Sequence, residues 1–212
     1  MRDFPMFTTD CGVGSIVLKE IPYSGAAYIT IHDASDPKGF LLECTDFCKA
    51  VGAEKIYASG HEILDVYPLY TAVLKMSAPI TAFPETETAL FPVTEQTISR
   101  WREIYNEKMK DVPNASYMSE RAGADLLQKG NGYFVHHNGE LYGIGIASEN
   151  VIHCVASVIP GKGREIVLAL LHALTSDPVE LEVASENLRA IRLYESMGFM
   201  KTQELSRWYK IF

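Results

Sequence analysis

A short loop in the second half of the chain combines glycines with basic side chains at the start of a helical pattern. Residues 158–165 read VIPGKGRE, with Gly161, Lys162, Gly163 and Arg164 in succession. Backbone amides at a helix N-terminus carry positive partial charge, and glycines let a ligand approach them closely. The loop is therefore a candidate phosphate site, and the alternative is a tight turn with solvated cations. The GxxxxGK[ST] spacing of nucleotide-triphosphate loops is absent.

A segment near the C-terminus carries the most distinctive spacing of polar and aromatic residues. Residues 181–199 read LEVASENLRAIRLYESMGF. The alternation in the first part predicts a strand, and Ser185 or Glu186 can begin the helix that follows. Gly198 can end that helix in a left-handed conformation. Taken by themselves, these residues describe an ordinary amphipathic helix with a glycine at its end.

The same segment closely resembles the last strand and helix of the GNAT acetyltransferases, where a strand precedes the pattern N-x-x-A-x-x-x-Y-E-x-x-G-F. The residues that match this pattern are Asn187, Ala190, Tyr194, Glu195, Gly198 and Phe199. From about residue 89 to its C-terminus, the chain is thus similar to the GNAT superfamily. The resemblance implies an α/β protein with a mixed sheet and the GNAT acyl-CoA acyltransferase fold.

The resemblance also implies where acetyl-CoA, or another acyl-CoA, would bind as co-substrate. GNAT enzymes hold it between two parallel strands that part, which here would be 151–158 and 179–184. The backbone near the end of the first strand would pair with the pantetheine arm, at Val155, Ser157 and Val158. Asn187 would contact the cofactor side of the cleft. An amine would then attack the thioester directly, with Tyr194 as the general acid for the departing thiolate.

The glycine loop departs from the family's phosphate-binding pattern, R/Q-x-x-G-x-G/A. With GKG aligned, Pro160 replaces the Arg or Gln, and Glu165 replaces the final glycine. A carboxylate beside a pyrophosphate weakens binding unless it turns away, and Lys162 and Arg164 offset part of this effect. The resemblance therefore implies that residues 161–164 hold the pyrophosphate through an altered loop.

A general base has one candidate on the strand that precedes the loop. Related enzymes often use a carboxylate or an ordered water at this place, and here the strand offers His153. Its imidazole could relay a proton near neutral pH, although a single histidine in a strand can equally be structural. Cys154 and Ser157 have no recognisable His or Asp partner, so the sequence disfavours a covalent acyl-enzyme.

The elements that must position these residues alternate between strands and helices. Hydrophobic periodicity predicts helices at 94–110, 119–128, 163–175 and 186–196. It predicts strands at 132–137, 141–147, 151–159 and 179–184, and two short strands within 200–212. Asn138 and Gly139, between the first two strands, predict a type I′ turn. This order predicts a mixed sheet with helices on both faces.

The first half repeats this order in weaker form. The pattern predicts strands at 27–32 and 55–58 and helices at 40–51 and 63–76, with Asp36 and Pro37 placed to begin the first helix. Tyr67 or Tyr70 falls near the position equivalent to Tyr194.

We interpret this order as two related units of unequal completeness. Residues 1–82 would form a truncated, half-GNAT-like unit without catalytic function, and residues 83–212 an acetyltransferase-like domain, in a tandem arrangement. A stiff linker is expected at 77–92, which contains several prolines.

Charge and composition disfavour several classes of protein. The net charge is −8, and there is no basic stripe, so nucleic-acid binding is disfavoured. No apolar run reaches the length of a membrane span, and residues 1–10 lack the apolar stretch of a signal peptide. We therefore expect a cytoplasmic protein that does not bind membranes. The four cysteines lack metal-ligand spacing, so we expect buried thiols and no metal.

Two functions of different classes are compatible with the sequence. The first is an acyl-CoA-dependent N-acyltransferase that moves an acetyl group from acetyl-CoA to a small-molecule or peptide amine, and the acidic charge favours a cationic acceptor. The second is a GNAT-shaped binding or regulatory protein without catalysis, which the altered loop would explain. A third, weaker option is acyl or aminoacyl transfer to a larger substrate, and a homodimer is compatible with each.

Overall fold

The chain forms two compact units, which we call unit 1 and unit 2. The structure is a computed structural model that describes residues 5–212, apart from the side chain of Ala82. Unit 1 comprises the chain up to Val73 together with Glu204–Phe212, and unit 2 comprises Leu74–Gln203. The predicted domain limits, 1–82 and 83–212, stay a prediction. Residues 1–4, part of the stretch interpreted as lacking a targeting signal, lie outside the described residues.

Unit 1 is built on a sheet with one helix of substantial length. Its elements are β1 (Met6–Thr9), β2 (Gly12–Val17), α1 (Ile21–Ser24), β3 (Ala26–Ala34), α2 (Pro37–Ala50), β4 (Lys55–Ser59), a 3₁₀ helix (Glu62–Val66) and the first half of β5 (Leu69–Ala78). The strands β1, β2 and β3 pair antiparallel, and β3 and β4 pair parallel. The last residues of the chain add a strand beside β4, with Tyr209 opposite Ala58.

Helix α2 connects the two parallel strands of unit 1 and covers one face of them. Asp36 caps the helix, because its Oδ1 accepts a hydrogen bond of 3.0 Å from the Gly39 amide, as the sequence predicts. Phe40 and Cys44 of the helix pack, fully buried, against strand residues that include Ile29 and Ile56. Burial of these apolar side chains holds helix and strands together.

Unit 2 contains most of the helices. Its elements are the end of β5, a 3₁₀ helix (Ile80–Ala82), β6 (Ala89–Pro92), α3 (Ile98–Met109), α4 (Glu120–Lys129), β7 (Gly132–His137), β8 (Glu140–Ser148), β9 (Val151–Ser157), α5 (Gly163–Leu171), β10 (Val179–Ala184), α6 (Leu188–Ser196) and the start of β11 (Met200–Lys210). Strands β6 to β9 pair antiparallel in order, and β10 joins β9 in parallel. The end of β5 lies next to β10. The expected mixed α/β sheet is confirmed.

Helices cover both faces of the unit 2 sheet, as the order of elements predicts. Trp101 and Ile104 of α3 and Leu126 of α4 pack in one cluster with Ile144 and Cys154 of the sheet. Helix α5 approaches the other face, where a Cβ on Gly145 would lie 2.5 Å from Leu170 Cδ1. The glycine is therefore needed for the helix to pack this closely. Within residues 5–212, no helix is long and apolar enough to cross a membrane.

Three predictions about secondary structure are wrong. Residues 63–76, predicted as a helix, form the end of a 3₁₀ helix and most of β5. Pro68 lacks an amide proton, and the burial of residues 72–78 alternates as in a strand. The two short strands predicted within 200–212 are one strand, β11. The stiff linker predicted at 77–92 contains the end of β5, a 3₁₀ helix and β6.

Candidate functional site

The two parallel strands of unit 2 part after a short stretch of pairing. Only Val151 with Glu180 and Ile152 with Leu181 are in register between β9 and β10 in the described part of the chain. Beyond these pairs, β9 continues through 153–157 and β10 through 182–184. The other side of β9 is paired with β8 as far as Ser157. Residues 154–157 therefore lie beyond the pairs with β10 and can present one backbone edge to an extended ligand.

Beyond β9, part of the predicted ligand-binding backbone is already used within the protein. The Val158 amide donates a hydrogen bond of 2.9 Å to the Tyr142 carbonyl, which leaves the Val158 carbonyl as its possible ligand contact. The Ser157 hydroxyl donates to the Ile159 carbonyl. Because that hydroxyl is engaged, Ser157 can contribute through its backbone, in line with its predicted role beside Val155.

The glycine loop ends at the N-terminus of α5. Lys162 is the N-cap residue, and no side chain among residues 5–212 caps this end. The amides of Gly163, Arg164 and Glu165 form the first helical turn, whose N–H groups have no partner within the helix. Gly161 adopts a left-handed φ of 87°, which glycine tolerates best. The loop thus presents open amides near the end of β9, where the sequence predicts a phosphate site.

Charged side chains surround this helix end in an arrangement that the sequence does not reveal. The Lys162 Nζ lies 3.6 Å from Glu165 Oε1 and 4.7 Å from the centroid of the Tyr142 ring. Its contact with Tyr142 is the main cause that raises the pKa of Lys162, and Glu165 adds to it. The Glu165 Oε2 is buried and finds no hydrogen-bond partner in the described residues. Glu165 therefore belongs to the loop site, and Tyr142 is a residue that no sequence motif marks.

Tyr194 of α6 is buried, with 8% of its surface exposed. Its ring packs edge-on against Phe199 at a centroid distance of 5.8 Å. Burial raises the pKa of Tyr194, and the neighbouring Cys154 of β9 raises it further. Cys154 belongs to one of the two strands that part. The role of Tyr194 as general acid stays a prediction.

The side chains of Asn187 and His153 are each engaged by neighbouring residues. The Asn187 Oδ1 accepts a hydrogen bond of 3.2 Å from the Ala190 amide and caps α6, so its amide nitrogen is the group left for a ligand. His153 is exposed, and its Nε2 lies 3.0 Å from the Ser148 hydroxyl. Successive strand residues point to opposite faces, so His153 and Cys154 project in opposite directions. The structure does not gather His153 with Tyr194.

These features can be compared with what an acyl-CoA requires. The backbone edge of 154–157 fits a pantetheine arm, and the open amides of α5 fit a phosphate group. The side chains of Lys162 and Arg164 supply positive charge there. The Glu165 carboxylate opposes an anion at the same place. In the part of the chain that the structure describes, no group of three His, Cys, Asp or Glu residues could hold a metal ion.

The thiols are free and largely buried, as the sequence predicts. Cys44, Cys48 and Cys154 are buried, and Cys11 is partly exposed. Burial raises the pKa of Cys154 to about 12. Thiols in such surroundings stay protonated and react slowly.

Comparisons of sequence with known proteins find no match, whereas comparisons of structure do. No protein-family model matches the sequence, and no curated protein matches it. A conserved protein of unknown function from Staphylococcus epidermidis has a similar structure, with a TM-score of 0.60 at 12% identity, and 99% of this chain and 94% of that chain are covered.

Two other solved structures carry family names. A GCN5-related N-acetyltransferase from Kribbella flavida has a TM-score of 0.55 at 12% identity, covering 96% of this chain and 58% of that chain. A tandem GNAT protein from the clavulanic acid biosynthesis pathway has a TM-score of 0.52 at 10% identity, covering 94% and 78%. At such identities the similarity concerns the backbone: the chain has the GNAT fold.

Proposed function

We propose that the chain is an acyl-CoA-dependent N-acyltransferase that transfers an acetyl group to an amine. The observation that carries this proposal is the parting of β9 and β10 beside the open N-terminus of α5. The GNAT fold of the solved structures supports the same kind of activity. When bound, acetyl-CoA would supply an acyl group activated as a thioester.

The backbone of 154–157 would bind and orient the extended part of that ligand, and Val155 and Ser157 belong to this edge. The amides at the start of α5, with Lys162 and Arg164, would hold its phosphate end. Holding both ends fixes the thioester, which lowers the entropic cost of attack by the amine.

Tyr194 would give its Oη proton to the departing sulfur. Because burial raises the pKa of Tyr194, its phenol keeps that proton throughout the neutral pH range. A thiolate in water has a conjugate acid near pKa ~8.5 and would be a poor partner for such a phenol. The transfer is therefore uphill for the separate groups and depends on the position of the phenol against the leaving sulfur.

The acceptor amine must lose a proton during the reaction. We propose His153 as a relay that acts through solvent, because its ring is exposed and lies on the face of β9 opposite Cys154. The acidic net charge of −8 favours a cationic acceptor, either a small amine or a peptide amine. Glu165 is the observation that favours the second candidate function, a GNAT-fold binding protein without turnover.

Thermal melting in the presence of acetyl-CoA or free CoA tests the proposal. A ligand at one hundred times its Kd stabilises the folded protein by about 2.7 kcal/mol, which raises the Tm of a chain this size by about 5–10 °C. The second measurement is release of free thiol from acetyl-CoA with a panel of polyamines and peptides. A melting shift without turnover on any amine would favour the binding protein. Absence of a shift with either ligand would contradict the acyltransferase and any binding protein that uses CoA.

A further inference from the structure

Glu165 lies where an anion would have to bind. It is in the first turn of α5, three positions after the N-cap residue Lys162. A carboxylate in the first turn of a helix is favoured by the helix dipole. One of its oxygens lies 3.6 Å from the Lys162 ammonium, and the other is buried without a partner in the described residues. The chain thus supplies its own negative charge to the site.

The Lys162 ammonium contacts both the Glu165 carboxylate and the Tyr142 ring. Its ammonium lies 4.7 Å from the Tyr142 ring centroid and pairs with Glu165 on another side. The Lys162 ammonium is therefore already paired with the Glu165 carboxylate before any ligand binds. Arg164 is exposed and is the remaining cation of the loop.

A pyrophosphate at this helix end would face that carboxylate directly. Like charges a few ångströms apart repel, and the repulsion is stronger for a half-buried carboxylate than for a fully solvated one. To remove the repulsion, Glu165 would have to turn away and Lys162 would have to pair with the phosphate instead. Either change costs free energy that a ligand without the pyrophosphate does not require.

We propose that Glu165 is a specificity-determining residue that weakens the hold of this site on the pyrophosphate of CoA. The inference rests on the proposed function, because it concerns the same ligand site. Its consequence is that the pantetheine arm supplies an unusually large share of the binding energy. The site therefore discriminates little between a CoA thioester and a thioester on pantetheine without the nucleotide.

Binding measurements on the full chain test this inference. The Kd of CoA and the Kd of pantetheine, which lacks phosphate, are measured calorimetrically for the natural protein and for Glu165→Gln. Gln keeps the shape and removes the charge. We expect the Kd of CoA to fall about tenfold in the variant, while that of pantetheine changes by less than about twofold. Lys162→Gln should act in the opposite direction on CoA alone.

A matched control removes one negative charge elsewhere in unit 2. Asp125→Asn, at an exposed position of α4, should leave both Kd values unchanged. The inference is overturned if Glu165→Gln leaves the Kd of CoA within about twofold, or if it shifts CoA and pantetheine equally. If neither ligand binds either protein, the proposed function is overturned, and this inference with it. Melting without ligand shows that each variant is folded.

Discussion

Each unit contains a strand, a helix and a second strand that returns parallel to the first, yet the two pairs of strands differ. In unit 1, β3 and β4 stay in register over five positions, from Ala26 with Lys55 to Thr30 with Ser59. In unit 2, β9 and β10 are in register over two positions and then part. A continuous ladder leaves no backbone edge for a ligand, whereas the parted strands do.

The helices that connect these strands differ in whether a side chain caps their N-termini. The N-terminus of α2 is closed by the Asp36 carboxylate of its own chain. The N-terminus of α5 has no such cap among the residues that the structure describes. Among the described residues, the closed pair in unit 1 therefore offers neither a parted strand edge nor an uncapped helix end, and the open pair in unit 2 offers both. The two units share the order strand, helix, parallel strand. They differ in the length of the strand pairing and in whether a side chain caps the helix.

The largest effect is expected from removing the Tyr194 hydroxyl in unit 2. Tyr194→Phe should lower turnover of acetyl-CoA by about a hundredfold or more, because a positioned proton donor contributes that much. The melting shift with CoA should persist. Tyr67→Phe, directly after the 3₁₀ helix of unit 1, is the control and should leave turnover unchanged. Equal losses in the two variants would remove the functional difference between the units.

A second prediction concerns stability. Ile56 lies fully buried in the closed pair, and Ile56→Ala should lower the free energy of unfolding by about 3 kcal/mol. Val155 is partly exposed on the open edge, so Val155→Ala should cost about 1 kcal/mol or less. Urea denaturation followed by circular dichroism measures both. If Val155→Ala proved the more harmful change, the open edge would be a packing surface instead.

The smallest effect is expected at the helix ends. Asp36→Ala removes a side-chain cap and should destabilise the protein by about 1 kcal/mol. Lys162→Ala removes an N-cap residue whose side chain caps nothing among the described residues, and should cost about 0.5 kcal/mol or less. The same urea titrations provide the test. Equal costs at the two positions would show that the ends of α2 and α5 do not differ as proposed.

Local sequence signals were sufficient for much of unit 2. Asn138 and Gly139 both have positive φ, at 48° and 79°, as a type I′ turn requires. Strand β10 has the predicted limits, and Gly198, with a φ of 97°, follows the last turn of α6. These signals work because a turn or a helix end constrains the backbone of the residues that carry it.

Features that depend on residues far apart in the chain could not be predicted from local sequence signals. The apolar residues of 63–76 can be arranged on a helix, but neighbouring strands select the extended form. The extent of pairing between β9 and β10 depends on side chains far apart in the chain. Glu165 was recognisable as a departure from a pattern, yet its contact with Lys162, and that of Lys162 with Tyr142, required coordinates.

The end of β5 has a practical consequence for work on unit 2. Lys75 forms an ion pair of 2.8 Å with Glu180 of β10, and its carbonyl accepts a hydrogen bond of 3.3 Å from the Thr202 hydroxyl. A recombinant fragment that began at residue 83 would lack this segment. Its absence would uncover the edge of β10, and bare strand edges recruit other chains into aggregates. A fragment of unit 2 that keeps the edge of β10 covered would have to begin at or before Leu74, inside a strand and not in a loop.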